Sequence, residues 1–302
     1  MAPPWRAGGP FRAWRRKLVP ALFLLPVVGY AMAFFAYPLV NGFLVSFERY
    51  GFAQLVSGSG PFIGLANYAQ TLANPVTLTA AKNTAIFTVL SVGFQVSIGL
   101  AIATLLNRKF LLANVLRRLV LVPWTLPAVA VGAIFAVLFG APDAFVNTLL
   151  VNLHLIKSPV PWLVNYTPAM AALVVTNIWL GLPFNIIVLY SGLQGLDEQV
   201  QEAAMTDGAT NWQRFRLVTV PMLKPVLLIV IVLGLIATVK VFDIVIVMTG
   251  GGPNNVTQLL STWSYTEAFS NFNYGEGAAI GNILLIVSMI FAAGYIYYMR
   301  KE

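Results

Sequence analysis

The chain has 302 residues, of which 59% are hydrophobic and only 9% charged, against roughly one quarter charged in soluble domains; this excludes an ordinary water-soluble domain and assigns most of the chain to a lipid bilayer. With no cysteine and a single histidine, His154, a disulfide, a thiol nucleophile, a thiolate metal site and a histidine metal cluster are all ruled out, and His154 is expected in a loop. The formal charge of +8 would suit nucleic acid, but the bases are scattered between apolar runs and make no basic groove, so nucleic acid is not an expected partner.

Residues 1–17 carry Arg6, Arg12, Arg15, Arg16 and Lys17 and form a short basic tail. From Leu18 to Phe47 no charge appears, enough to cross a hydrocarbon core that needs about 20 residues. Ala31-Met32-Ala33 after a basic start resembles a signal-peptide cleavage site, but the apolar run continues well past it, and an uncleaved first helix is expected. Residues 48–81, with Gly51, Gly58, Gly60, Pro61, Gly64 and Pro75, read as a polar connection. Further apolar runs follow at 83–106, 119–142, about 168–192, about 225–248 and 277–299. The reading is an all-α polytopic membrane protein with six spans. Pro26, Pro38, Pro123, Pro127 and Pro183 within the spans predict kinks whose freed carbonyls need neighbouring helices or waters.

The distribution of Lys and Arg orients these spans. Five lie in the tail, four between 107 and 118 (Arg108, Lys109, Arg117, Arg118), three between 193 and 224 (Arg214, Arg216, Lys224) and two at the end (Arg300, Lys301). The alternate connections hold only Arg49, Lys82 and Lys157. Fourteen against three is a positive-inside asymmetry that puts both termini in the cytoplasm.

Few polar groups interrupt the spans. Lys240 and Asp243 in the fifth are three apart, a spacing that puts them on one helix face where they neutralise each other; charges inside membranes pair by default, and here the pair would border a solute path. Gln95, Asn177, Asn185 and Asn282 offer amide donors and acceptors suited to a hydroxyl-rich solute, and Trp179 and Phe184 offer faces for a sugar ring. The competing role for each amide is an interhelical hydrogen bond. One intramembrane Lys with an Asp beside it favours a neutral solute, since an anionic one calls for Arg or Lys clusters.

The charged segment from Gln201 to Pro221, QEAAMTDGATNWQRFRLVTVP, belongs in water. Leu196, Val200, Ala203 and Ala204 fall on one face of a helix, with Asp197 and Glu198 in its first turn, where negative charge suits the dipole. Gly208 permits a turn. Trp212, Phe215 and Val218 then form a second short apolar stripe that Pro221 ends. Helix, glycine break, helix, with two adjacent alanines that let another backbone approach, reads as a docking element; the alternative is a solvated loop. Between Thr249 and Gly277, Gly250, Gly251, Gly252 and Pro253 end the fifth helix sharply, and Trp263, Tyr265 and Phe269 suit a headgroup interface.

Glu202, Ala203, Ala204 and Gly208, followed after nine residues by Val218-Thr219-Val220-Pro221, resemble the EAA signature of ABC-importer permeases, with Val in place of the usual Ile and Leu. VFDIVIVMTGGGP at 241–253 resembles the corresponding place in carbohydrate-importer permeases of the maltose type, and the resemblance covers the chain from residue 18 onward. It implies a type I importer permease fold in the plasma (inner) membrane of a bacterium or archaeon. It divides the chain into a tail at 1–17, a first helix and external loop at 18–81, and a five-helix core at 82–302 with a coupling helix at about 197–208. Glu202, Ala203, Ala204, Asp207 and Gly208 would contact a cytoplasmic ATPase dimer. ATP and Mg would sit on that partner and no cofactor on this chain, a second homologous permease would complete the cavity, and an external solute-binding protein would deliver a sugar. The larger maltose permease carries extra N-terminal helices and a sizeable external domain that the 302 residues do not show, so receptor docking is expected on loops 48–81 and 249–277.

No GxxxxGK[ST] sequence is present, so ATP hydrolysis of the P-loop kind is excluded. An intramembrane enzyme would need a nucleophile with a base or a metal constellation, and neither is visible. A passive channel should show selectivity rings and has no use for a docking segment. The expected function is carbohydrate import driven by a partner ATPase; glycerol phosphate or another small polar solute is the alternative cargo.

Overall fold

The computed structural model describes residues 22–108 and 110–300; the basic tail, the start of the first span at Leu18, Lys109 and Lys301 lie outside the described residues. Within them the chain is helical, and the single β-bridge pairs Glu48 with Phe62. In chain order the helices are α1 (Leu22–Val45), α2 (Phe52–Ser57), α3 (Ala66–Ala73), α4 (Pro75–Leu106), α5 (Ala113–Leu119), α6 (Ala128–Gly140), α7 (Phe145–Asn152), α8 (Tyr166–Gln194), α9 (Glu198–Thr206), α10 (Asn211–Met222), α11 (Lys224–Val239), α12 (Asp243–Met248), α13 (Leu260–Tyr265) and α14 (Tyr274–Met299). Four of them, α1, α4, α8 and α14, are long and apolar enough to cross a bilayer; two bent pairs bring the number to six when each pair counts as one span.

The framework is the α4–α8 pair, the most extensive helix contact in the molecule. At 32 and 29 residues these helices are about 48 and 44 Å long, longer than the roughly 30 Å hydrocarbon core, so they project from it. They approach closely where side chains are small, as helices in lipid do. A Cβ added at Gly99 would lie 3.0 Å from Asn185 Cβ, and one added at Gly181 would overlap the Gln95 side chain. The apolar core has three parts: around Phe87 and Leu173, where α6 and α12 join this pair; around Trp263 and Ile280; and around Leu189 and Leu223. By contrast α1 packs on α14 with none of its span buried.

Several boundaries differ from the sequence reading. Residues 48–81 are largely helical, and α4 starts at Pro75 rather than 83. Asn74 caps it, accepting from Val76 N at 2.9 Å, with Pro75 at the first position, so Lys82 is inside the helix. The third span is bent: residues 113–125 meet α6 at 97° across Leu126 and Pro127. Pro183, by contrast, sits inside unbroken α8. The segment 260–270 is helical, and Trp263 is core rather than interfacial: it is 4% exposed and its Nε1 donates to Thr77 Oγ1 at 3.0 Å. His154 lies in an exposed turn with φ +58°.

Candidate functional site

The expected coupling residues fall in the last two turns of α9 and on the turn that joins it to α10, both helices well capped. Asp197 caps α9, its carboxylate accepting from Gln199 N at 2.9 Å. At the other end Gly208 adopts φ +81°, its N–H donates to Met205 O at 3.0 Å, and Ala209 N donates to Ala204 O at 3.0 Å. These two bonds form a Schellman motif, which satisfies carbonyls a helix end leaves bare. Two residues later Thr210 opens α10 with a capping box: Gln213 Oε1 accepts from Thr210 N at 2.8 Å, and Gln213 N donates to Thr210 Oγ1 at 3.3 Å. The sequence Asp-Gly-Ala-Thr thus contains the whole turn.

Glu202, Ala203, Asp207 and Gly208 are exposed on this element and Ala204 is half-buried. No ion pair engages Glu202 among the described residues. Val200 and Met205 on α9 and Trp212 on α10 are also exposed. Leu196 precedes the helix rather than belonging to it. Pro221 does not end the second stripe: α10 widens into a π-helical turn at Phe215–Thr219 and continues to Met222, and the 67° break comes at Leu223. Proline lacks an N–H to donate, and the wider turn accommodates that loss. Behind the element lies a cleft of about 730 Å³ lined by Arg108, Gln194, Glu198, Glu202 and Arg214 among others.

The expected solute-path residues separate into three places. Gln95 Nε2 donates to the Asn177 carbonyl at 2.7 Å, tying α4 to α8, while Asn177 Nδ2 is buried without a partner. Asn185 is satisfied within its own helix by Gly181 O at 2.8 Å. Trp179 packs on Phe135 with centroids 5.5 Å apart, and Phe184 meets Trp124 edge-on at 6.3 Å. Asn282 is elsewhere: its amide donates to Tyr68 OH at 3.0 Å, and Tyr68 in turn bonds Ser46.

The third place corrects an expectation. Lys240 and Asp243 do not share a helix face: α11 ends at Val239, Lys240 is its C-cap, and Asp243 begins α12. Both side chains are exposed, and no ion pair joins them among the described residues. The break is held from a distance, with Ser261 Oγ donating to Val241 O at 2.5 Å. A polar side chain twenty residues away replaces the helical bond that continuity would have supplied.

Residues 95–300 match the family described as binding-protein-dependent transport system inner membrane component. The chain belongs to that family. The permease is 32% identical over 283 residues to the trehalose/maltose transport system permease protein MalF of Thermococcus litoralis, covering 94% of each chain. It is 31% identical to the arabinooligosaccharides transport system permease protein AraP of Bacillus subtilis, over 92% of this chain and 87% of that one. Among solved structures it superimposes on a chain of a bacterial ABC transporter involved in the import of the acidic polysaccharide alginate, with a TM-score of 0.82 at 20% identity, over 96% of this chain and 98% of that chain. The permease therefore has the type I ABC-importer fold, and it is an integral membrane component of such an importer.

The sequence reading missed residues that the fold brings to this site. Gln201 Nε2 donates to Thr219 Oγ1 at 3.2 Å, joining α9 to α10, and Gln194 bonds Asn107 across the ends of α8 and α4. Thr210 and Gln213 were open to recognition through the Thr-x-x-Gln spacing; Gln201 and Gln194 carry no local signal.

Proposed function

We propose that this permease is the non-catalytic transmembrane subunit of an ATP-driven carbohydrate importer. A cytoplasmic ATPase dimer docks on Glu202, Ala203, Ala204, Asp207 and Gly208, and ATP and Mg reside on that dimer. A second permease of the same fold completes the solute cavity, and an external binding protein delivers the sugar. The observation that carries this reading is the exposed, doubly capped element from α9 to α10: a knob with a carboxylate that no ion pair engages among the described residues and a small-residue face, which a solvated loop has no reason to maintain. Both termini and this turn face the cytoplasm, in line with the positive-inside asymmetry, and the boundaries 1–17, 18–81 and 82–302 remain a working division into tail, first helix with external loop, and core.

Alternating access follows from this arrangement. ATP closes the ATPase dimer, the docked turn moves with it, and the helices rearrange around the cavity. Non-helical backbone at membrane depth is tolerated where it lines a cavity or is covered by protein, which supports the break at Lys240–Phe242, with Asn177 and Trp179 on α8, as bordering the path. A neutral sugar suits amides and aromatic faces. Lys240, which no ion pair engages among the described residues, favours a second reading, an anionic solute such as a glycerol phosphate, because a phosphate wants a cation to face it.

Co-purification tests the central assignment. The permease, expressed with its genomic neighbours and extracted in detergent, is expected to retain an ATPase subunit and to lose it on Glu202→Lys. Association that survives the substitution would place docking elsewhere. Uptake by vesicles carrying Lys240→Gln separates the two cargoes: the variant spares neutral sugar transport and abolishes glycerol phosphate transport only if the second reading is right.

A further inference from the structure

We infer that Leu223 is the pivot through which movement of the docked turn reaches the solute path, with Gln201 as the link that delivers that movement to it. This rests on the coupling role just proposed and names the residues that carry it onward. Among the described residues, helix α9 packs chiefly on α10. Displacement of α9 can be passed to α10 through their packing, and to α8 through the short joint 195–197, where Leu196 packs on the same core as Leu223. The Gln201–Thr219 hydrogen bond joins the two helices at 3.2 Å, four residues before the 67° break.

The break is seated in a socket. Leu223 is fully buried among Ala103 of α4, Leu189 and Leu193 of α8 and Val230 of α11. Gly192 makes room for it: a Cβ there would lie 2.8 Å from Leu223 Cδ1 and 2.9 and 3.0 Å from the two Val226 methyls. Close-packed interiors transmit displacement rather than absorb it. On one side of the socket α10 forms an arm of about 18 Å, and on the other α11 forms a strut of about 24 Å. The far end of the strut is Lys240, where the helix stops. A swing of the arm about Leu223 is thus delivered to the break that borders the solute path. Leu223 and Gln201 are positioning residues, which need touch neither solute nor ATPase.

The test uses the complete importer in lipid, with spin labels on Leu155→Cys, exposed in the connection between α7 and α8, and Lys240→Cys, exposed at the end of α11; the chain has no cysteine of its own. Mg-ATP with vanadate is the probe, and the readouts are the label-to-label distance distribution and the rate of ATP hydrolysis. The expected result is that Leu223→Ala and Gln201→Ala keep the ATPase bound and hydrolysing, while the population at the ATP-induced distance falls about tenfold, within the range that residues along a coupling route command. Leu223→Met, which conserves volume, restores it. A wild-type distance shift in both alanine variants overturns the inference. So does parallel loss of hydrolysis and shift in both, which is what a purely structural role predicts. If the unsubstituted permease holds no ATPase, the functional reading fails and the pivot with it; if the ATPase stays and only the shift is insensitive, the pivot alone fails.

Discussion

Gly208 shows how much one residue decides in the turn between α9 and α10. Its φ of +81° lies where an L side chain costs about 1–2 kcal/mol, and both bonds of the Schellman motif depend on that conformation. Gly208→Ala is expected to open the turn locally, speeding amide hydrogen exchange over residues 203–213 about tenfold without moving the melting temperature of the membrane core. Gly208→Asn should fall between, because Asn tolerates the left-handed region. Unchanged exchange in the alanine variant would show that the turn does not rest on this glycine. The turn was legible in the sequence because capping is local chemistry: the glycine and the Thr-x-x-Gln pair lie within the six residues 208–213. Lys240 and Asp243 were not. The spacing rule assumes a continuous helix, and the residues around the break, Val239 to Phe242, include no glycine or proline to announce it. The partner that holds it, Ser261, is distant in sequence.

At the level of elements, the long apolar runs fixed the number of spans well, whereas the starts and bends went astray. The physical reason is that lipid-facing and core-facing residues are both apolar, so periodicity does not tell which face of α4, α8 or α14 packs. Polar caps at a helix start read as loop, which is why α4 was placed eight residues late, and a buried tryptophan reads as interfacial, as Trp263 did. The face of α8 that packs is instead marked by Gly181 and by the amide of Gln95 that fills the space above it. Gly181→Val would force that amide from the Asn177 carbonyl and overpack the seam, at a cost of about 1–3 kcal/mol. The measurement is the temperature at which the detergent-solubilised permease loses its monodisperse size-exclusion peak, expected to fall for Gly181→Val and to stay near the wild-type value for Gly29→Val, since a Cβ at Gly29 meets nothing within 4 Å. Equal losses would remove the special status of the seam.

Across the whole molecule the polar connections gather at two ends. At one end the chain after α1 meets the chain before α14: Gly275 N donates to Tyr50 O at 3.0 Å, Phe52 stacks edge-on against Phe272 at 5.5 Å, and the Asn83 amide at the top of α4 donates to Val256 O at 2.8 Å. At the other end the end of α8, just before α9, meets the connection after α4: Gln194 bonds Asn107, and Arg117 caps α4 by donating from Nε to Leu106 O at 3.2 Å while lying 4.9 Å over the Tyr190 ring. This second end carries Arg108, Arg117, Arg118, Arg214, Arg216, Lys224 and Arg300, and the first carries Arg49, Lys82 and Lys157. If basic loops are retained on the cytoplasmic side, the proposed orientation with the turn between α9 and α10 inward follows. Because the chain has no cysteine, single introduced thiols report each end without background. Ser57→Cys, exposed at the end of α2, is expected to react with a membrane-impermeant maleimide in intact cells, or after outer-membrane permeabilisation where an outer membrane exists. Asn114→Cys, exposed on α5, is expected to react only once the plasma membrane itself is opened. The reverse pattern would invert the molecule and take the coupling turn out of reach of any cytoplasmic ATPase, so this measurement bears on the orientation and on the motor at once.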